Sequence, residues 1–301
     1  MYFGAVVKKG GFGKFEHNRD LVPIDKQTVI RMNRDTLYSG AVFDLDGGPV
    51  TITLPDVGAR FMSMQVIDED EYTPMVVYTA GTQSFARAQI ATRYVLMAVR
   101  ILVDESDPND LQQVHKAQDA IKVSQRVPGK FETPNWHAAS QTNVRDALLV
   151  LASTLPDTNG AFGPRGQVDP IRHLLGAASA WGGNPEMDAI YLNFAPGKND
   201  GTIFYKLNVG YVPVDGFWSI SVYNAAGYFQ SNPLNAYSLN NITAQKNDDG
   251  SIAVQFGGCD GIVIPNCLPI SDGWNYMVRL YRPRPEILNG SWKFPEARPL
   301  Q

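Results

Sequence analysis

At 301 residues the chain exceeds the usual single-domain size, and 44% hydrophobic against 19% charged residues gives ordinary cores rather than disorder. A net charge of −4, from 26 basic and 30 acidic residues with no basic stripe, argues against nucleic acid as a partner. No run approaches the ~20 apolar residues of a membrane helix, and Lys8 and Lys9 interrupt the start before any signal-peptide core can form. The start therefore reads as that of a mature chain or of a protein kept inside the cell.

The first third has β character. Residues 28–32 read as a short strand, with turn chemistry at Asn33-Arg34-Asp35. Residues 36–45 follow as a second strand, Leu37, Ser39, Ala41, Phe43 and Leu45 sharing one face. Asp46-Gly47-Gly48 is a hairpin signal, and strands are expected at 49–54, 61–67, 72–80 and 93–103. Short spacing between turns fits a sandwich.

The period then changes. Asp107-Pro108 and Asp169-Pro170 each look like an N-cap followed by proline at the first helical position. Leu111, Val114, Gln118 and Ile121 keep helical spacing after the first, and Ile171, Leu174, Leu175 and Ala178 after the second. Between them, residues 142–155 carry Val144, Leu148, Leu151, Ala152 and Leu155 on one face of a further helix. β pattern returns at 189–194, 203–209, 218–223, 252–256 and 276–281, with a hairpin turn at Asn247-Asp248-Asp249-Gly250 and a proline-rich surface tail after Tyr281. The expected divisions are a sandwich over 1–105, a helical segment over 106–186 and a second sandwich over 187–301.

Standard catalytic motifs are mostly missing: no Gly-x-Ser-x-Gly elbow and no His-Glu-x-x-His helix occurs. Gly10-Gly11-Phe12-Gly13-Lys14 lacks the spacing of a phosphate loop. His115 and His173 border apolar helical stripes, the usual place for a structural histidine. Two polar clusters stand out. In the first, Arg34 offers a planar donor fork, Asp35 an acceptor and Tyr38 a neighbouring ring; the ordinary alternative is a turn cap with a local ion pair. The second is Gln65-Val66-Ile67-Asp68-Glu69-Asp70-Glu71-Tyr72, where repulsion among four consecutive carboxylates predicts at least one raised pKa, as acid/base pairs require; the ordinary alternative is a solvated loop end. Trp218, Tyr237 and several asparagines form an aromatic and amide set suited to sugar rings. Arg279 alternates against Val278 and Leu280 and so points away from their face. Cys259 and Cys267 flank a loop of turn formers, which favours a disulfide over two buried thiols. With no histidine nearby, a cysteine metal site is not expected, and no cofactor is indicated.

Arg31-Met32-Asn33-Arg34-Asp35-Thr36-Leu37-Tyr38-Ser39 and Gln65-Val66-Ile67-Asp68-Glu69-Asp70 resemble bacterial proteins of domain-of-unknown-function family 1254. Val168-Asp169-Pro170-Ile171-Arg172-His173-Leu174, Val214-Asp215-Gly216-Phe217-Trp218 and Arg279-Leu280-Tyr281-Arg282-Pro283 resemble family 1214, and the two families occur together. The resemblance spans nearly the whole chain. It implies a mainly β protein: an immunoglobulin-like N-terminal sandwich, a helical middle and a C-terminal jelly roll. Many members look exported, which implies a periplasmic or secreted location and supports the Cys259–Cys267 bridge. Glu71 stands where many members have histidine. The jelly roll is similar in outline to glycan-processing amidases, an analogy of fold only, and no catalytic residues come with the family.

Two functions follow as expectations. One is a hydrolase for a carbohydrate or other polar small substrate in an interdomain cleft, with Asp68 and Glu69 as acid/base groups. Arg34, Asp35, Tyr38, Trp218, Tyr237 and Arg279 would then bind the substrate. The other is a non-catalytic envelope protein that binds a ligand or partner through the same surface. Neither requires a membrane span or a nucleic acid, and both leave a homo-oligomer open.

Overall fold

The computed structural model describes residues 2–260 and 264–300. The fold is mainly β, with sixteen strands in four sheets among the described residues and no closed barrel. The chain divides into two compact units. One comprises the residues up to Arg19 together with Leu37–Glu186; the other comprises Asp20–Thr36 and the chain from Met187 on. The helical stretch thus belongs to the first unit, and the loop before Leu37 belongs to the second.

The first unit opens with helix α1 (Tyr2–Lys8) and strands β1 (Glu16–His17), β2 (Thr36–Asp44), β3 (Val50–Leu54), β4 (Met62–Asp68), β5 (Met75–Val77) and β6 (Gly81–Phe85). The short helix α2 (Arg87–Ile90), β7 (Tyr94–Leu102), α3 (Pro108–Asp119), β8 (Lys122–Gln125), α4 (Ala138–Ala152) and α5 (Pro170–Ser179) follow. Five strands pair in the order β1-β2-β7-β4-β5, three in the order β6-β3-β8. The antiparallel β4–β7 register sets Ile67 opposite Leu96, Gln65 opposite Ala98 and Ser63 opposite Arg100. Opposed residues share a face, so this face is apolar at one end and polar at the other. Phe3, Val6 and Val7 of α1 cover the apolar end, together with Trp181.

The two helices expected from Asp-Pro starts begin where the caps predict. Asp107 accepts from the Asn109 amide, and Asp169 from the amides of Ile171 and Arg172. Val114 and Gln118 are the buried positions of α3. Helix α4 has no fully buried side chain; of its expected stripe, Val144 and Leu151 are more than half exposed, while Leu148, Ala152 and Leu155 are half-buried.

Three N-terminal expectations are corrected. Residues 28–32 form no strand: Val29 and Ile30 are exposed, and Arg31 turns into the left-handed region at φ 52°. Asp46-Gly47-Gly48 closes no hairpin, because β2 and β3 lie in different sheets joined by a 3-10 turn at Leu45–Gly47. A Cβ on Gly47 would sit 2.3 Å from the Val127 carbonyl oxygen, so that glycine serves a close backbone approach. The strand expected at 72–80 shrinks to β5, since Asp68 captures the Tyr72 amide and the Thr73 amide donates to Gly163.

The second unit contains β9 (Ala189–Phe194), β10 (Tyr205–Val209), β11 (Trp218–Tyr223), β12 (Ser238–Asn240), β13 (Ile252–Phe256), β14 (Cys267–Leu268), β15 (Asn275–Tyr281), α6 (Pro285–Leu288) and β16 (Arg298–Pro299). Two four-stranded sheets, β14-β13-β10-β16 and β12-β11-β15-β9, make a sandwich. Its core takes Trp218, Ile220 and Val222 from β11, Tyr276, Val278 and Leu280 from β15, and Leu207, Val209, Val254 and Phe256 from the facing sheet. Period-2 alternation then sends Ser219, Ser221, Tyr223, Met277, Arg279 and Tyr281 to the opposite face. The turn at 247–250 leads into β13 without closing a hairpin, because β12 and β13 belong to different sheets. The tail is not a loose extension: β16 pairs with β10, and Phe294 is buried edge-on against Trp218.

Cys259 and Cys267 form a disulfide. Gly261, Ile262 and Val263 of the intervening loop lie outside the described residues.

Candidate functional site

The acidic run of the first unit is a turn at the end of β4. One Asp68 oxygen accepts from the amides of Asp70 and Tyr72, each at 2.9 Å, and the other accepts from Arg165 at 3.1 Å. Arg165 also pairs with Asp70 at 2.6 Å. Burial pushes the Asp68 carboxyl upward, and the Tyr72 amide and Arg165 hold it back without cancelling the rise. Glu69 is exposed and accepts from the Tyr94 amide at 2.9 Å, so it reaches across to the start of the neighbouring strand β7.

Glu71 differs from both. It is 5% exposed, sits in left-handed backbone at φ 69°, and accepts one hydrogen bond, from the Gly182 amide at 2.8 Å. Burial pushes its carboxyl up to about 8, and the nearby Asp68 charge adds to the rise. Crowding of like charges is therefore present but secondary. Asp68 and Glu71 are both raised, and the larger rise falls on Glu71, which charge density along the sequence did not single out.

Around Glu71 the loop Trp181–Asn184 is pinned from the polar end of the sheet. Gln65 donates to the Gly183 carbonyl at 2.8 Å, and Arg100 donates to Gln65 at 2.9 Å and to the Gly182 carbonyl at 3.3 Å. The Arg100 guanidinium lies 5.4 Å from the Tyr38 ring centre. A Cβ at Gly183 would meet Phe162 at 2.2 Å, so only glycine lets the loop come this close. His173 stacks on Tyr72 at 4.1 Å, with Arg165 on the other ring face at 4.2 Å. Both its ring nitrogens face carbonyl oxygens, of Ala161 and Asp70, and His115 likewise contacts the Arg19 carbonyl. Both are structural histidines.

The second unit gathers the other predicted residues. Arg279 is 2% exposed and donates to Ser221 Oγ at 2.8 Å, to the carbonyls of Arg31 and Met32 at 2.8 and 3.3 Å, and to Tyr223 Oη at 2.7 Å. Tyr223 in turn donates to the Met32 carbonyl at 2.8 Å. Burial works against the Arg279 charge, and the fields of Tyr223, Tyr281 and Asp35 outweigh it, so the guanidinium stays charged. Asp35 accepts from Ser219 Oγ at 2.6 Å. Arg34 donates to the Val22 carbonyl at 2.7 Å and lies 5.5 Å from the Tyr237 ring centre. Segment 20–36 is thus tied to the polar face of the β11–β15 sheet.

Of the residues singled out by sequence, Arg34, Asp35, Tyr237 and Arg279 fold in one unit around this network. Tyr38, Asp68 and Glu69 belong to the other unit. Trp218 is corrected: alternation along β11 turns it into the sandwich core, away from the Arg279 face. The predicted amide set includes turn caps, since Asn224 accepts from the amides of Ala226 and Tyr228, and Asn232 from those of Leu234 and Ala236. Sequence reading missed Glu71 as the perturbed acid, and Gln65 and Arg100 as its neighbours. A polar residue at an inward position of an otherwise apolar strand was the available signal for the last two. Among the described residues no group of three His, Cys, Asp or Glu side chains is placed to hold a metal ion, and no helix is long and apolar enough to cross a membrane.

Two β-rich units with a helical middle region define the class of this protein. The family described as protein of unknown function (DUF1254) matches residues 12–80, and that described as protein of unknown function (DUF1214) matches residues 194–285. The chain belongs to the proteins that combine these two families. No curated protein matches it. Among solved structures it is similar to the VPA0106 protein from Vibrio parahaemolyticus, at 17% identity and TM-score 0.72 over 90% of each chain. It is also similar to an uncharacterised protein from Burkholderia cenocepacia, at 14% identity and TM-score 0.56, covering 100% of this chain and 87% of that one. At these identities the likeness concerns the fold.

Proposed function

We propose that this chain is a non-catalytic binding protein of an oxidising compartment such as the cell envelope, taking a polar small ligand on the second unit. The observation that carries the reading is that Arg34, Asp35, Tyr237 and Arg279 all fold into the second unit, where Asp35 and Arg279 tie segment 20–36 to a polar sheet face and Arg34 lies over the Tyr237 ring. Asp68 supports it from the other side: its oxygens are engaged by two backbone amides and Arg165, which suits a turn cap better than an acid/base group. The Cys259–Cys267 bridge agrees with an oxidising location.

A second reading, hydrolysis of a polar substrate, draws on Glu71. A carboxyl raised to about 8 near Asp68, whose own rise is restrained by Arg165, gives two neighbouring carboxyls in unequal environments, the arrangement that acid/base catalysis uses. One experiment separates the two. The protein is screened against neutral sugars, glycosides, esters, carboxylates and phosphates, following both thermal shift and turnover. The binding reading expects a saturable shift with the compound recovered intact. Turnover that disappears in Glu71→Gln and in Asp68→Asn would replace it with the second.

A further inference from the structure

The outer face of the β14-β13-β10-β16 sheet carries a pocket. Leu207, Val209, Val254 and Phe256 belong to the sandwich core, so alternation turns Lys206, Ala253 and Gln255 to the other side. The registers set Lys206 opposite Gln255 on one flank and opposite Arg298 on the other, which places two cations and an amide in a row on one face. Over β13 this face becomes a pocket of about 210 Å³, lined by Lys206, Gln245, Asn247, Gln255, Ile264 and Pro265, with Ala253 at its floor.

The pocket is held together by its own frame. Asn266 ties both walls to the floor: its Nδ2 donates to the carbonyls of Gln245 at 2.8 Å and Ala253 at 3.0 Å, and its Oδ1 accepts from the Gln245 amide at 2.8 Å. The next residue, Cys267, is bonded to Cys259 and pairs in parallel with β13. Asn247 donates to Ser251 Oγ at 2.9 Å, and Gln255 to the Gly257 carbonyl at 2.9 Å. A site braced in this way is formed before a ligand enters, which lowers the entropic cost of binding.

The lining sets the chemistry. Like charges directly opposite across a strand pair repel, so Lys206 and Arg298 concentrate positive potential beside the pocket, and an anion relieves that repulsion. Of the acids in the adjoining turn, Asp249 is engaged by the amide and hydroxyl of Ser251 at 2.9 and 2.6 Å. The side-chain amides of Gln245, Asn247 and Gln255 offer donors and acceptors together, the match for hydroxyl groups. Ile264 and Pro265 add an apolar edge for C–H groups. At roughly 30 Å³ per water molecule the space equals about seven waters, the scale of one sugar ring or a short polyol.

We infer that this pocket binds a small anionic polyol, Lys206 taking its carboxylate or phosphate and the amides of Gln245, Asn247 and Gln255 its hydroxyls. The pocket lies on the other sheet of the second unit from the Arg279 network. It therefore adds a site to the ligand-binding reading above and does not rest on it.

The test compares the whole chain with Lys206→Gln, which removes the charge, and Ala253→Leu, which fills the floor. Binding of glucuronate and of glycerophosphate is measured by titration calorimetry, with glucose as the neutral probe and sodium chloride at matched ionic strength as control. The expected result is saturable binding of at least one anionic probe, weakened about tenfold or more in each variant, with glucose bound more weakly than that anion. Whichever anion binds identifies the acidic group. The variants act separately on charge and on space, so a folding defect in one leaves the other to decide. Equal anion binding by wild type and variants would overturn the inference and leave the Arg279-face reading standing. Glucose bound as tightly as the anions would overturn the role of Lys206. Silence of both anions would overturn the pocket as a site, while the earlier reading is judged by its own screen.

Discussion

The acidic turn of the first unit and the guanidinium face of the second both bury ionisable groups, and they resolve the cost in opposite ways. Arg279 keeps its charge because four oxygens converge on it and Asp35 lies within its field. Glu71 has one amide donor and an unfavourable neighbour in Asp68, so its neutral form is favoured up to about pH 8. A buried charge survives where the backbone supplies enough dipoles. Otherwise the proton stays on.

The largest expected effect breaks the first half of that contrast. Arg279→Met leaves two backbone carbonyls, two hydroxyls and Asp35 without their cation, and should destabilise the second unit by about 3–5 kcal/mol in chemical denaturation. A loss under about 1 kcal/mol would mean that the network is dispensable.

Glu71 sharpens the second half. Because its folded-state pKa is raised, its contribution to stability is fully present below the unfolded value near 4.5 and is lost progressively as pH climbs toward 8. Glu71→Gln keeps a neutral side chain of the same shape. It should flatten stability between pH 4.5 and 8, and at pH 8 should exceed wild type by roughly 2–4 kcal/mol. Parallel wild-type and variant curves would show that Glu71 is ionised when folded.

The disulfide offers a comparison independent of charge. Replacing both cysteines with serine should cost about 2–3 kcal/mol in the loop-entropy treatment, confined to the transition of the second unit. The smallest effect is expected for Glu69→Gln, within about 0.5 kcal/mol, since that side chain is exposed and its carbonyl oxygen can still accept from Tyr94. A larger loss would show that the Glu69 charge, and not only its acceptor oxygen, supports the fold.

The sequence made some of this contrast readable and hid the rest for a definite reason. Strands β9, β11 and β13 follow from two-residue alternation, and α3 and α5 from Asp-Pro caps, because both signals are local. The outward direction of Arg279 came from the same alternation. Residues 28–32 and 46–48 misled because their outcome depends on distant partners: Gly227 for Arg31, and Val127 for Gly47. Glu71 was invisible as the perturbed acid for the same cause. Its burial comes from a glycine loop more than a hundred residues later, so no pattern within the acidic run distinguishes it from Glu69.

Hydrogen exchange, measured with and without a compound found to bind, tests the placement of the site most directly. New protection should fall on residues 20–36 and on β11 and β15, with residues 68–73 unchanged. Protection confined to residues 68–73, with β11 and β15 untouched, would contradict the account and move function to the carboxylates of the first unit.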